Sequence, residues 1–177
     1  MKFYRIKAHL VKVTAEEILA RKLSLARRFF EKYRQNLLKE PKITELLTAH
    51  GKAFARAQEV TIETGAASFC ARCGREGRSC CGADMELHCD DALLVANLLA
   101  GVDFPRKRLW PKACFFLGPA GCVLKIRPLI CRNFICPELA TALGPEKVSS
   151  LQEALEEEAR LLFWLTEEIK RWLIKGL

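Results

Sequence analysis

The sequence predicts a mainly α-helical protein in which long helices pack around an irregular, cysteine-rich module with a small hairpin. Three observations predict it. Leu, Ala, Glu, Lys and Arg, all good helix formers, dominate both ends of the chain. Most of the ten glycines and seven prolines fall inside or beside one central block. That block, 69–137, also holds all nine cysteines. With 177 residues, 50% of them apolar, the chain can bury one core. The expected organisation is an N-terminal helical region over 1–68, the cysteine module over 69–137, and a C-terminal helix over 138–177. That helix packs on the N-terminal ones, so the three regions form one compact domain.

Met1 to Val13 alternates loosely and reads as a short strand or an irregular lead-in. Thr14-Ala-Glu-Glu17 has the capping-box form, in which the Thr oxygen takes an early amide and Glu17 reaches back. The helix it starts shows Leu19, Leu23, Ala26, Phe30, Tyr33 and Leu37 at steps of four and three. Glu40-Pro41 ends it, because a residue before proline is pushed out of the α region. A second helix is expected from about Ile43 to Thr64, weakened at Gly51 and stopped by Gly65.

The cysteine block then begins at Phe69 as irregular chain. Within it, Asp90 and Asp91 can cap the apolar run Ala92 to Ala100, which Gly101 terminates; apolar nearly all round, this helix should be buried. Cys114 to Leu117 and Cys122 to Ile126 flank Gly118-Pro-Ala-Gly121 and read as a hairpin. Leu129 to Pro137 is irregular or a single helical turn. The last helix is expected to start at a second capping box, Ser150-Leu-Gln-Glu153. Its apolar face is Val148, Leu151, Leu155, Leu162, Leu165, Ile169 and Trp172, interrupted at Glu158, and a pairing of the two long helices across the cysteine block would bury both faces. Trp164 and Trp172 read as core or dimer-interface residues.

Charge and hydropathy narrow the setting. Residues 1–56 carry fourteen Lys/Arg against five Asp/Glu, about +9 of the total +8, and residues 137–177 carry five against eight. The basic arm is expected to pack on the acidic tail helix. Neither an aromatic-interleaved basic motif nor a DNA-binding signature is present, which argues against nucleic acid as a partner. No apolar run approaches the ~18–20 residues that span a bilayer, so no membrane is expected. Lys2, Arg5, Lys7 and Lys12 interrupt any secretory apolar region. The expectation is a cytoplasmic protein, with any protein partner and its oligomeric state open.

In a reducing compartment, closely spaced cysteines are metal ligands or redox thiols more often than disulfides, and nine is an odd number. Two runs stand out: Cys70-x2-Cys73-x6-Cys80-Cys81, then Cys114-x7-Cys122-x8-Cys131-x4-Cys136. The first pair brings two sulfurs to one ion, as in zinc knuckles and iron–sulfur loops. Arg72, Arg75 and Arg78 surround it, and positive charge favours the ligating thiolate. Adjacent Cys80 and Cys81 should serve different sites or bridge, because both rarely bind one ion without strain. Cys114 and Cys122 sit at opposite ends of the hairpin, and Cys131 and Cys136 follow with Arg127 and Arg132 nearby to balance thiolate charge. These eight can make two four-sulfur sites, one four-sulfur site plus four other thiols, or a shared polynuclear site. Cys89 reads equally as a helix-entry core residue and as a ninth ligand; His88 reads as a surface histidine, and His9 and His50 carry no argument.

Read in order, the CxxC, the adjacent Cys80-Cys81, Asp91, Cys114-Phe-Phe-Leu, Gly121-Cys122 and Arg127-Pro-Leu-Ile-Cys131-Arg-Asn-Phe134 resemble the zinc- or iron-chelating cysteine-cluster family (YkgJ-type). The resemblance covers about 69–137 and implies metal or iron–sulfur binding. One branch is similar to the flagellin lysine N-methylase, which would imply an S-adenosylmethionine-dependent lysine methylase. No glycine-rich nucleotide loop follows a strand here. An iron–sulfur cluster, of the 4Fe-4S kind, is the first expectation, in a structural or redox role. Zn2+ is second, because zinc sites usually show two CxxC pairs and this chain has one. A metal chaperone or thiol redox sensor is the third reading.

Overall fold

The computed structural model describes residues 13–175 and is built from seven α-helices, one 3-10 turn and a two-stranded hairpin. The lead-in Met1 to Lys12, with His9, lies outside the described residues. Thr14 closes its capping box: its Oγ1 accepts the Glu17 amide at 3.2 Å, and the Glu17 carboxylate accepts the Thr14 amide at 2.8 Å. Helix α1 then runs Ala15–Lys39. Pro41 breaks the chain once and starts it again, occupying the first position of α2, Pro41–Glu63.

Helix α4, Asp91–Leu99, is the centre of the molecule. Asp90 accepts the Leu93 amide at 2.8 Å and fixes its start. Ala92 through Asn97 are all buried, with α1 on one side and α7, Pro145–Lys175, on the other. Asn97, the polar residue of this run, has a structural task. Its amide donates to the carbonyls of Leu93 (3.0 Å) and Ile126 (2.7 Å), and its oxygen accepts the amides of Lys125 (3.0 Å) and Ile126 (3.1 Å). The chain leaving the hairpin is thereby pinned to the core helix. The hairpin is β1, Leu117–Gly118, against β2, Gly121–Cys122, antiparallel with Leu117 opposite Cys122.

The structure differs from the sequence expectation at three elements. The cysteine block opens helically: α3 spans Ala66–Arg75 and carries both Cys70 and Cys73. Gly65, at φ +87°, turns the chain out of α2 and lets a new helix begin, and Phe69 anchors it to a second apolar cluster around Ala57, Leu139, Leu151 and Leu155. After α5, Leu129–Asn133, a further short helix, α6, Pro137–Leu143, starts on the Cys136-Pro137 step. Helix α7 begins at Pro145 rather than at Ser150. Gly144 at φ +78° ends α6, Pro145 starts the next helix, and the Ser150 hydroxyl donates to the Glu146 carbonyl inside it.

Helix pairing also differs. The most extensive packing joins α7 to α2, while α1 meets α7 through Trp172, whose ring lies 5.4 Å from Tyr33 and 6.2 Å from Phe29. Trp164 is exposed on the outer face of α7. Among the described residues no ion pair joins the basic α1 to the acidic α7; Lys170 and Arg171 pair instead with Asp90, Glu167 and Glu168. Among the described residues no helix is long and apolar enough to cross a membrane.

His50 of α2 is 2% exposed, and burial, reinforced by Arg132 and Arg127, pulls its pKa down to about 4. The unfolded chain therefore takes up this proton first, near the ordinary 6.5, so stability falls as pH drops from 6.5 to 4 and is untouched by this group above 6.5. The loss reaches ~3 kcal/mol at the bottom of that window. Urea unfolding of the native chain and of His50→Gln across this range should show the native chain losing that much more than the variant. Parallel curves would mean the histidine is not held neutral.

Candidate metal centre

The cysteine block folds into two connected groups of thiols. Cys70 and Cys73 lie one turn apart on α3, which puts both on one face, and α3 packs against α6, at whose start Cys136 sits. Cys136 Sγ accepts the Leu139 amide at 3.4 Å, so a sulfur caps this helix. Cys70 is pushed above the ordinary thiol range by burial and by Cys136, Cys73 and Cys81.

The second group surrounds a mostly apolar cavity of about 280 Å³. Six thiols line it: Cys80, Cys81, Cys89, Cys114, Cys122 and Cys131, together with Phe116, Leu124 and Phe134. Backbone pairing explains why distant cysteines meet here. The Cys114 amide donates to the Cys81 carbonyl at 2.7 Å, Gly82 bridges Ala113, and Ala83 donates to Lys112 at 3.0 Å. Across the hairpin, Cys122 stands opposite Leu117. Cys131 closes the turn that starts at Pro128, to whose carbonyl its amide donates at 2.8 Å.

Cys80 and Cys81 stand where the two groups join. Both line the cavity, yet Cys80 also feels the charges of Cys70 and Cys136. The side-chain interaction within the pair raises Cys80 and lowers Cys81. Ser79 and Arg127 also favour the Cys81 thiolate, against its burial. Every other shifted thiol is driven upward, burial being the largest cause, with Cys114 raised to about 12 and Cys131 to about 11.

Two arginines serve the site differently. Arg127 lines the cavity, donates from Nε to the Leu124 carbonyl at 3.0 Å and from Nη2 to Gln58 Oε1 at 3.3 Å, and lies over the Phe54 ring at 5.4 Å. From there it lowers Cys81, Cys122 and Cys131, as expected of a charge that balances thiolates. Arg132 points inward to an ion pair with Glu158 of α7, and both side chains are almost wholly buried. The interruption at Glu158 in the apolar face of α7 was the sequence signal of this pair. Arg132 still lowers Cys122 and Cys131 from below.

Cys89 is 1% exposed and faces the cavity, so it is a core residue and a member of the thiol ring at once. Its carbonyl, with that of Leu87, accepts Lys22 of α1 at 2.8 and 3.0 Å, which fastens the 3-10 turn Met85–His88 to the helical frame. His88 is exposed, in line with a surface role. Among the described residues no three His, Cys, Asp or Glu side chains converge closely enough to hold one ion. The donor chemistry nevertheless suits a sulfur-bound group: neutral thiols crowd an apolar cavity with one guanidinium at its wall, and a bound cation would relieve the burial that holds them protonated. The chain matches no protein-family model, no curated protein and no solved structure.

Truncating Glu158 to alanine leaves Arg132 buried and unpaired, and should cost ~3–5 kcal/mol in denaturant unfolding. Replacing both partners, as Arg132→Met with Glu158→Leu, should recover most of that loss. A second expectation concerns reactivity. In metal-free protein, Cys81 should be alkylated by iodoacetamide with a half-maximal rate below the ~8.5 of an ordinary thiol, and ahead of the other cavity cysteines. Arg127→Gln should move that midpoint upward. Peptide mapping after a short pulse at several pH values reads both.

Proposed function

We propose that this chain is a sulfur-ligated metal protein, with an iron–sulfur cluster as the favoured group and Zn2+ as the second choice. The observation that carries the reading is the thiol ring itself. Six cysteines from five separate stretches of chain line one small apolar cavity, with Arg127 in its wall. Free structural cysteines need no such arrangement, since one or two buried among aliphatic residues would pack equally well.

The candidate ligands fall into Cys70, Cys73, Cys80 and Cys136 on the α3–α6 side, and Cys81, Cys114, Cys122 and Cys131 around the cavity. This division favours two four-sulfur sites over the other two arrangements. The adjacent pair joins the two sides, since both members line the cavity and both interact with Cys70, and this reading gives Cys80 to one set and Cys81 to the other. Bound there, an iron–sulfur cluster would supply one-electron storage, of 4Fe-4S type at a four-cysteine set. The chain's own contribution is to orient, to shield and to offset charge. Arg127 offsets thiolate charge, Phe116, Leu124 and Phe134 exclude water, and Arg132, held by Glu158, keeps the Cys131 turn in place. A reducing, cytoplasmic setting belongs to this reading, because nine free thiols must stay reduced.

Protein prepared without oxygen and assayed for iron, acid-labile sulfide and zinc tests the proposal. Brown protein with broad visible absorbance and matching iron and sulfide is expected. Cys73→Ser and Cys122→Ser should each remove about half of the metal, one from each group. Colourless protein with stoichiometric zinc would overturn the iron choice but keep the sulfur site. Full metal content in both variants, or no metal in the native chain after anaerobic reconstitution, would overturn the proposal itself.

A further inference from the structure

A second cavity lies outside the cysteine site, in a cleft of about 930 Å³ between α1 and the segment 103–108. Five cationic side chains line it: Arg27, Arg28, Arg106, Lys107 and Arg108. Among the described residues two acids, Glu16 and Asp103, line it with them. Arg108 is fixed from behind, with its guanidinium held by the buried Glu86 carboxylate and by the Ala113 carbonyl. Burial alone would raise Glu86, but the bonds from Arg108 and from the Phe115 amide (3.2 Å) hold its carboxyl below the usual range, so the anchor stays charged. Arg27 is placed by its contact over the Phe104 ring, 5.9 Å from the centroid.

The remaining cations of the cleft have no acidic partner. Among the described residues, Arg27, Arg28, Arg106 and Lys107 enter no ion pair. The basic arm packs on the acidic α7 through α2, but among the described residues no acid of α7 pairs with a cation of α1. Four guanidinium groups and one ammonium thus converge on a concave surface. A low-dielectric wall strengthens their field, and guanidinium forks match phosphate oxygens in pairs. The cleft is also only half polar. Ala20, Pro105 and Phe115 contribute an apolar side that a bare inorganic anion would leave uncovered. Its volume falls within the ~300–1,000 Å³ usual for small-molecule sites.

We propose that this cleft binds a nucleoside di- or triphosphate, with the phosphates on Arg28, Arg106 and Lys107 and the nucleoside against Pro105 and Phe115. The site is independent of what the cysteines hold. S-adenosylmethionine, whose sulfonium and ammonium are cationic, is badly matched to it and serves as the control.

Isothermal calorimetry on the full chain at low salt, using ATP, ADP, inorganic pyrophosphate, S-adenosylmethionine and a ten-nucleotide single-stranded RNA, tests this. ATP and ADP should bind with micromolar affinity, pyrophosphate at least tenfold more weakly, and S-adenosylmethionine not at all. Arg28→Glu with Lys107→Glu should weaken ATP at least tenfold while leaving the urea midpoint and the cysteine-site metal content unchanged. Both side chains are exposed, and Arg106→Ala provides a milder second variant. The proposal is overturned if ATP gives no saturable heat, if the variants bind as well as the native chain, or if pyrophosphate binds as tightly as ATP. Tight RNA binding that ATP does not displace would also overturn it, since the cleft would then belong to a nucleic-acid surface.

Discussion

One buried ion pair, Arg132 with Glu158, holds the cysteine module to the helical frame. Taking a guanidinium and a carboxylate out of water costs several kcal/mol for each ion, and their attraction recovers that only when they meet. The pair therefore acts as a constraint more than as a source of stability. The Cys131 turn can dock on α7 in the register that joins the two charges, and other registers leave both stranded. Arg132 Nε, Glu158 Oε1 and the neighbouring His50 Nε2 have no hydrogen-bond partner among the described residues. An apolar core at this position would satisfy more atoms. It would not select the register of the loop, and the loop carries Cys131 and sets the height of Arg127 beside the cavity.

Asn97 does the same for the other half of the module. Its four hydrogen bonds hold the chain after β2 against α4, so the hairpin cysteines are positioned from the most buried helix of the molecule. Lys22 holds Cys89 from α1 in the same manner. The helices thus provide a frame from which Asn97, Glu158 and Lys22 reach toward the irregular segment. This division of labour explains why the segment keeps one conformation despite having little regular structure: its backbone groups are satisfied by particular side chains instead of by a sheet.

What could be read from sequence follows from where the determinants lie. Thr14 with Glu17, Asp90 before the Ala92 run, and Gly118 to Gly121 are local signals, and each places its element correctly. Helix α3 was hidden because a CxxC pair flanked by arginines and glycines suggests a loop, while the deciding contact, Phe69 against Leu139 and Leu151, is long-range. The capping box at Ser150 failed for a related reason. Pro145 after a left-handed glycine is a stronger start, and once helix exists upstream, Ser150 is merely a residue within it. At the site, all eight cysteines singled out by spacing lie in the two groups. Cys89 could not be separated from a core residue, because it is one, and whether it also faces sulfur depends on where the hairpin folds. Glu158 was legible as an anomaly, but its partner was not.

The thiol cavity and the basic cleft are separated by a single piece of chain, residues 113 to 116. Ala113 and Phe115 are held on the cleft side by Arg108 and Glu86, whereas Cys114 is bonded to Cys81 and, with Phe116, lines the cavity. The chain turns here, the Leu117 amide donating to the Cys114 carbonyl at 3.0 Å, so neighbouring residues face different compartments. Arg127 and Arg132 act on Cys122 and Cys131, and Lys22 acts on Cys89, each favouring the thiolate against burial. Lowering of every thiol by a diffuse basic surface would make the whole ring reactive. With the charge confined to a few placed side chains, burial keeps the shifted thiols of the ring raised, except at Cys81.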